Sequence, residues 1–150
     1  MRTVGREFLD KFAQQHKNNE HVRTGGSPDS YFSILERRFP LVGSKIAWSQ
    51  APNSVMRETD SQDSERYARD AVKMLSDVVK AEGMADEQIV IAIGDSLMED
   101  VVSLPLGILR ESLSEFLELP QHLYVLPEDG SWCFSFTMEG DLAFGHAPAP

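Results

Sequence analysis

Hydrophobic and polar residues alternate with a period of two in the last quarter of the chain. Residues 121 to 146 read QHLYVLPEDGSWCFSFTMEGDLAFGH, in which Trp132, Phe134 and Phe136 alternate with smaller side chains. This period is typical of strands with one buried face. The runs Pro-Glu-Asp-Gly and Glu-Gly-Asp between the apolar segments have the composition of turns. The pattern therefore predicts a three-stranded meander with an aromatic inner face.

Apolar stripes that recur every three or four residues predict four helices elsewhere in the chain. Thr59 and Gln62 have the spacing of a capping box before the third helix, and Gly83 is its natural stop. Pro105 lies near the start of the fourth helix, and Pro120 follows its end. The predicted helical ranges are about 3–17, 28–39, 62–82 and 106–117.

Two further strands and two loops complete the predicted order. Residues 89–93 form a continuous apolar run, which favours a strand covered on both faces in the middle of a sheet. Residues 45–49 alternate and predict a short strand, whereas 51–61 are predicted to be a polar loop and 95–100 an acidic one. The order α-α-β-α-β-α-β-β-β predicts one α+β domain over residues 1–150. We expect a five-stranded, partly antiparallel sheet that ends in the meander and is covered by about four helices.

Charge is the feature of the composition that departs from an ordinary globular protein. The net charge is −10, although the hydrophobic share of 41% and the charged share of 25% are common values. Residues 1–85 hold 12 acids and 13 bases (12 subtracted from 13 gives +1), while residues 86–150 hold 12 acids and one base, Arg110, which gives −11. Such a segment is either a solvated acidic surface or an electrostatic decoy for a basic partner. It argues against direct binding to nucleic acid or to an anionic membrane.

The chain has one cysteine, Cys133, in the middle of a predicted strand. A framework of disulfides is therefore excluded, and we predict a buried structural thiol. The N-terminal segment is amphipathic and charged, unlike a signal peptide, and no segment approaches the length of a membrane span. We therefore expect a cytoplasmic protein.

A short motif follows the central apolar strand and invites a catalytic interpretation. Gly94-Asp95-Ser96-Leu97 resembles the GDSL signature of a family of serine esterases, in which Ser96 would be the nucleophile. Such a serine needs a general base and an orienting carboxylate. That family closes its chain with Asp-x-x-His, whereas His122 and His146 have no aspartate three residues before them. We therefore predict a non-enzymatic protein, with a small esterase that uses Ser96 as the alternative.

Asp95, Glu99 and Asp100 form an acidic cluster at the carboxyl end of the predicted central strand, a place where α/β folds often bind ligands. A hard-cation site would suit carboxylates, but the alternating ligand spacing of a calcium loop is absent. The four histidines show no zinc-site spacing either. We predict solvated loop carboxylates, without a metal or a cofactor.

The segment LYVLPEDGSWCFSFTMEGDLAFG resembles the closing strands of small bacterial immunity proteins, the antitoxins of contact-dependent growth inhibition and related polymorphic toxin systems. The resemblance lies in the Pro-Glu-Asp turn, the tryptophan followed by alternating aromatics, and the acidic glycine turn. It implies a cytoplasmic, non-enzymatic protein that binds one cognate toxin domain, often a nuclease, and blocks its active site or substrate surface. The expected assembly is a monomer or a 1:1 complex, and a cytoplasmic adaptor or scaffold is the rival binding function.

No contact residue can be transferred from that resemblance, so the candidate toxin-binding residues come from charge and turn placement. Tyr124 is included as an exposed aromatic anchor, which holds if Leu123 and Val125 face inward. Turns between successive antiparallel strands alternate between the ends of a sheet, so the two acidic turns need not share a face. The predicted toxin-binding set is Asp95, Glu99, Asp100, Tyr124, Glu128, Asp129, Glu139 and Asp141.

Overall fold

A computed structural model describes residues 3–42, 45–51 and 53–148. This part of the chain contains four α-helices, and all four fall where the apolar stripes predict them. The helices are α1 Val4–Gln15, α2 Asp29–Arg38, α3 Ser64–Glu82 and α4 Leu106–Phe116. The strands of the described residues are β1 Arg23–Thr24, β2 Leu41–Val42, β3 Lys45–Ile46, β4 Val55–Glu58, β5 Ile89–Gly94, β6 Val102–Pro105, β7 Leu123–Leu126, β8 Trp132–Phe136 and β9 Asp141–His146.

The main sheet has seven strands in the described residues, in the order β1-β6-β5-β7-β8-β9-β4. Every neighbouring pair is antiparallel. The α+β class is confirmed, but the prediction of five strands in a partly antiparallel sheet is wrong. Strand β5 lies between β6 and β7, and its side chains contact apolar clusters on both faces, as its continuous apolar run predicts.

Three strands of the main sheet, β1, β4 and β6, were not predicted. Strand β4 lies inside the stretch predicted as a polar loop, and most of its residues are exposed because it forms the edge of the sheet. Strand β1 has two residues, too few for an alternating pattern. Strand β6 does alternate buried and half-buried positions, but it ends at Pro105, which was assigned to the start of the fourth helix. The predicted strand 45–49 is also corrected, because β3 pairs with β2 in a separate hairpin and Trp48–Gln50 forms a 3-10 turn.

The ends of α3 show one correct and one incorrect prediction. Gly83 ends the helix with a φ of 67°, a left-handed conformation that glycine adopts without strain. The N-cap is Asp63, whose side chain accepts a hydrogen bond from the Arg66 amide at 3.1 Å. Thr59 is therefore not the cap, and its hydroxyl instead donates to Asp70 at 2.7 Å.

Apolar side chains cover both faces of the sheet, in two clusters of unequal size. The larger cluster joins helices α1, α3 and α4 to one face and includes Trp132, Phe134 and Phe136. The smaller cluster lies on the opposite face beneath α2 and includes Tyr124 and the free, fully buried Cys133. The buried thiol is confirmed, but the meander buries two faces and not one. None of the described helices has the length and apolar character that crossing a membrane requires.

Candidate functional site

Most of the predicted toxin-binding acids lie at one end of the sheet, which we call the acidic end and define by Asp95, Glu99, Asp100, Glu139 and Asp141. The carboxyl end of β5 pairs with the start of β7, since Gly94 is opposite Leu123. Two strands further along the chain, the turn between β8 and β9 returns to this same end. Antiparallel pairing therefore brings together the loop after β5 and the second acidic turn, which is the turn between β8 and β9 that carries Glu139 and Asp141.

The first acidic turn lies at the opposite end of the sheet, between β7 and β8. Glu128 and Asp129 are exposed there, so the eight predicted residues do not form one face. Asp129 stabilises its own turn, because its carboxylate accepts a hydrogen bond from the Ser131 amide at 3.0 Å. That bond holds the pKa of Asp129 below its ordinary value. Its backbone carbonyl also accepts from Arg38 Nη1 at 2.6 Å.

His122 connects the two acidic segments of the acidic end. Its backbone amide donates to Asp95 Oδ1 at 2.9 Å, and its ring Nε2 lies 4.0 Å from Asp95 Oδ2 and 3.8 Å from Glu139 Oε2. The Met138 amide donates to ring Nδ1 at 3.0 Å. Since Nδ1 accepts this bond, the proton of the neutral ring is on Nε2 and faces the two carboxylates. Sequence reasoning left His122 out because no motif includes it.

The chain's own cations neutralise two of the five carboxylates at the acidic end. Lys45 Nζ lies 3.0 Å from Glu139 Oε1, and this hydrogen bond is the main cause that lowers the pKa of Glu139. Arg6 Nη2 on α1 lies 2.9 Å from Asp100 Oδ2. Both pairs are partly exposed, so they reduce the negative potential locally without removing it.

Gln121 fixes the acidic loop after β5, and sequence reasoning missed it. Its side-chain Oε1 accepts from the amides of Leu97 at 2.8 Å and Met98 at 3.0 Å, and the residue is only 4% exposed. The side-chain amide lies directly on Gly94, where an added Cβ would overlap it. A polar residue in a loop carries no sequence signal that it will be buried as the acceptor for another loop.

The surroundings of Ser96 bear on the esterase interpretation. Ser96 is exposed, and within the described residues no histidine forms a hydrogen bond with its hydroxyl. The two amides that follow it along the chain donate to Gln121. An oxyanion would need free donors of that kind. In this arrangement no base is bonded to Ser96, and those two amides are not free to bind an oxyanion. The lack of enzymatic activity stays a prediction.

Tyr124 is not the exposed anchor that the alternation suggested. Leu123 and Val125 do face the larger cluster, but helix α2 covers the opposite face, and Tyr124 is 7% exposed. Its ring meets Phe32 edge to face at 5.9 Å between centroids. Burial is the main cause that raises its pKa to about 12. The prediction failed because alternation shows which face of the sheet a side chain projects from, but not which other element covers that face.

A cavity of about 530 Å³ opens on the α2 face beside the acidic end, and we call it the β4 groove. Its floor crosses four strands, and its walls come from β3 and from the 3-10 turn that follows it. It lies within the 300–1,000 Å³ range of ligand sites in proteins. The residues that define it are Lys45, Ile46, Trp48, Ser49, Met56, Arg57, Glu58, Tyr124, Ser135, Thr137, Asp141, Leu142 and Ala143.

Among the described residues, no group of three or more histidine, cysteine, aspartate or glutamate side chains is arranged to hold a metal ion. A comparison with protein-family models found no match, and a comparison with curated proteins found no significant similarity. The functional interpretation therefore depends on the geometry and the charge of the acidic end and the β4 groove.

Proposed function

We propose that this chain is a non-enzymatic immunity protein that binds a cognate toxin domain, a nuclease, and covers its basic active-site or substrate-binding surface. The observation that carries the proposal is the gathering of Asp95, Glu99, Asp100, Glu139 and Asp141 at one end of the sheet. These residues come from two separate segments, and antiparallel pairing brings them together.

A nuclease must present cations to the phosphates of its substrate, and carboxylates at matching positions compete for those cations. Complementary charge also speeds the encounter of the two proteins and makes its rate fall with salt. An acidic surface of this kind would bind a basic protein more readily than it binds DNA or RNA. The protein would act in the cytoplasm as a monomer that forms a 1:1 complex.

Fixed carboxylates bind better than mobile ones, because less conformational entropy is lost on association. Three features hold the acidic end in place. Gln121 accepts from two amides of the loop that carries Glu99, and the His122 amide donates to Asp95. The turn between β8 and β9 is closed by a hydrogen bond from the Asp141 amide to the Thr137 hydroxyl at 3.1 Å.

The test is to reverse charges at each end of the sheet and measure binding to the toxin domain encoded beside this gene. Two variants change the acidic end, Asp95→Lys with Glu99→Lys and Glu139→Lys with Asp141→Lys. The control, Glu128→Lys with Asp129→Lys, makes the same change in net charge at the opposite end. Circular dichroism checks that each variant folds.

We expect each variant of the acidic end to bind at least about 30-fold more weakly, as for residues at the centre of an interface. The control should bind within about threefold of the parent and keep its salt dependence. Equal losses in all three variants would show that net charge alone matters. The electrostatic mechanism would be refuted if both acidic-end variants bound with unchanged affinity and the association rate of the parent did not depend on salt.

A further inference from the structure

The floor of the β4 groove is a row of four residues, one from each of four neighbouring strands. Tyr124 is opposite Ser135, Ser135 is opposite Ala143, and Ala143 is opposite Met56. Residues directly opposite one another project from the same face of a sheet. Two small side chains therefore lie between two large ones, and this sequence of sizes forms a trough across β8 and β9.

Two hydroxyl groups in this floor have no hydrogen-bond partner in the part of the chain that the structure describes. They belong to Ser135, which is 3% exposed, and Tyr124, which is 7% exposed. Neither oxygen belongs to the fully buried unpartnered side-chain atoms of the described residues, so both can be reached from the groove. The trough thus offers two polar groups that can bond to a molecule entering the groove.

Two carboxylates lie at the rim of the groove, directly opposite each other. Glu58 on β4 pairs with Asp141 on β9, so both side chains project from the groove's face of the sheet. Like charges in this position destabilise a strand pair. Within the described residues neither has an ion-pair partner, since the groove's own cations bind elsewhere: Lys45 to Glu139 at 3.0 Å and Arg57 to Asp77 at 3.0 Å.

We propose that the β4 groove receives an arginine side chain of the toxin, with its guanidinium group between Glu58 and Asp141. This inference rests on the proposed function for the identity of the partner. A guanidinium presents a planar set of donors that can bond two carboxylates at once, whereas an ammonium group is a compact, strongly hydrated charge.

The walls of the groove suit the rest of an arginine side chain. Its aliphatic stem would lie over Ala143, beside the exposed Met56 and the ring of Trp48. Trp48 is held against β9, because a Cβ at Gly145 would lie only 2.9 Å from its Cζ3 atom. Arginine commonly buries its stem against apolar side chains and stacks on aromatic rings.

The site can be tested without the toxin. N-acetyl-arginine amide is titrated into the free protein, and the amide signals of Ser135 and Ala143 and the indole signal of Trp48 are followed by NMR. N-acetyl-citrulline amide has nearly the same shape without the charge, and N-acetyl-lysine amide has the charge without the planar group. We expect saturable shifts with the arginine probe, about fivefold weaker binding of the lysine probe, and no saturation with citrulline.

Charge-neutral variants locate the site. Glu58→Gln with Asp141→Asn should abolish saturation by the arginine probe, whereas Glu128→Gln with Asp129→Asn removes the same charge at the other end and should leave it unchanged. Equal binding of the citrulline or lysine probe, or no shift at any soluble concentration of the arginine probe, would overturn the arginine site. Neither result would decide whether the toxin binds through Asp95 and Glu99, because the variant Asp95→Lys with Glu99→Lys tests that separately.

Discussion

Replacing Gln121 by methionine tests whether this one side chain holds the acidic loop after β5. Methionine keeps the length and most of the apolar volume of glutamine but has no strong acceptor. In the parent, Gln121 Oε1 accepts from the amides of Leu97 and Met98 at 2.8 and 3.0 Å, and the residue is 4% exposed. The variant therefore leaves two amides without their acceptor while the local packing changes little.

The expected loss of stability is a difference between two effects. Leaving two amides without an acceptor costs about 2 kcal/mol each, so about 4 kcal/mol in total. The parent already contains a buried donor without a partner within the described residues, Gln121 Nε2, and its removal recovers about 2 kcal/mol. We therefore expect Gln121→Met to lower the free energy of unfolding by about 2 kcal/mol.

Urea unfolding measures this free energy, and hydrogen exchange of the Leu97 and Met98 amides reports on the loop itself. Both amides should exchange faster in the variant. Gln62→Met is the matched control on an exposed residue and should change stability by less than about 0.5 kcal/mol. A loss below about 0.5 kcal/mol in Gln121→Met, with both amides as protected as in the parent, would refute the reasoning.

Four further predictions follow from single side chains. Gly94→Ala should lower the free energy of unfolding by about 2 kcal/mol, because the new Cβ would overlap the Gln121 amide, and urea unfolding that matches the parent would contradict this. Cys133 should react with a thiol reagent only after unfolding, since burial raises its pKa and hides it; rapid labelling of the native protein would show otherwise. Ionised Asp77 stabilises the fold, because its hydrogen bond with Arg57 is the main cause that lowers its pKa; the urea midpoint should therefore fall as pH drops from the ordinary pKa of 3.8 down through the lowered one, and less steeply in Asp77→Asn. Purified protein should not hydrolyse acyl esters, and an activity that disappears in Ser96→Ala would establish the esterase alternative.

The sequence by itself determined the elements whose burial is periodic. All four helices, the interior strand β5 and the three strands of the meander were predicted, because an apolar stripe or alternation records which side of an element is buried. The burial of Cys133 follows from the same reasoning. Gly83 was correctly predicted to end α3, because the left-handed backbone conformation after a helix favours glycine whatever the helix packs against.

Only the tertiary structure decided what each element lies against. Strand β4 is exposed along most of its length, so its pairing with β9 is visible in backbone hydrogen bonds and not in side-chain pattern. Tyr124 faces away from the larger core as predicted, but helix α2, from about 90 residues earlier in the chain, covers it. A local pattern contains no information on such distant contacts.

The candidate site shows the same division. Composition placed the negative charge in the last part of the chain, but the strand order decided that Asp95 and Glu139 meet at one end while Glu128 lies at the other. The opposition of Glu58 and Asp141 comes from a strand register between segments more than 80 residues apart. Sequence thus determined the amount of charge, whereas the antiparallel sheet determined which carboxylates face one another, because pairing between distant strands depends on the whole fold.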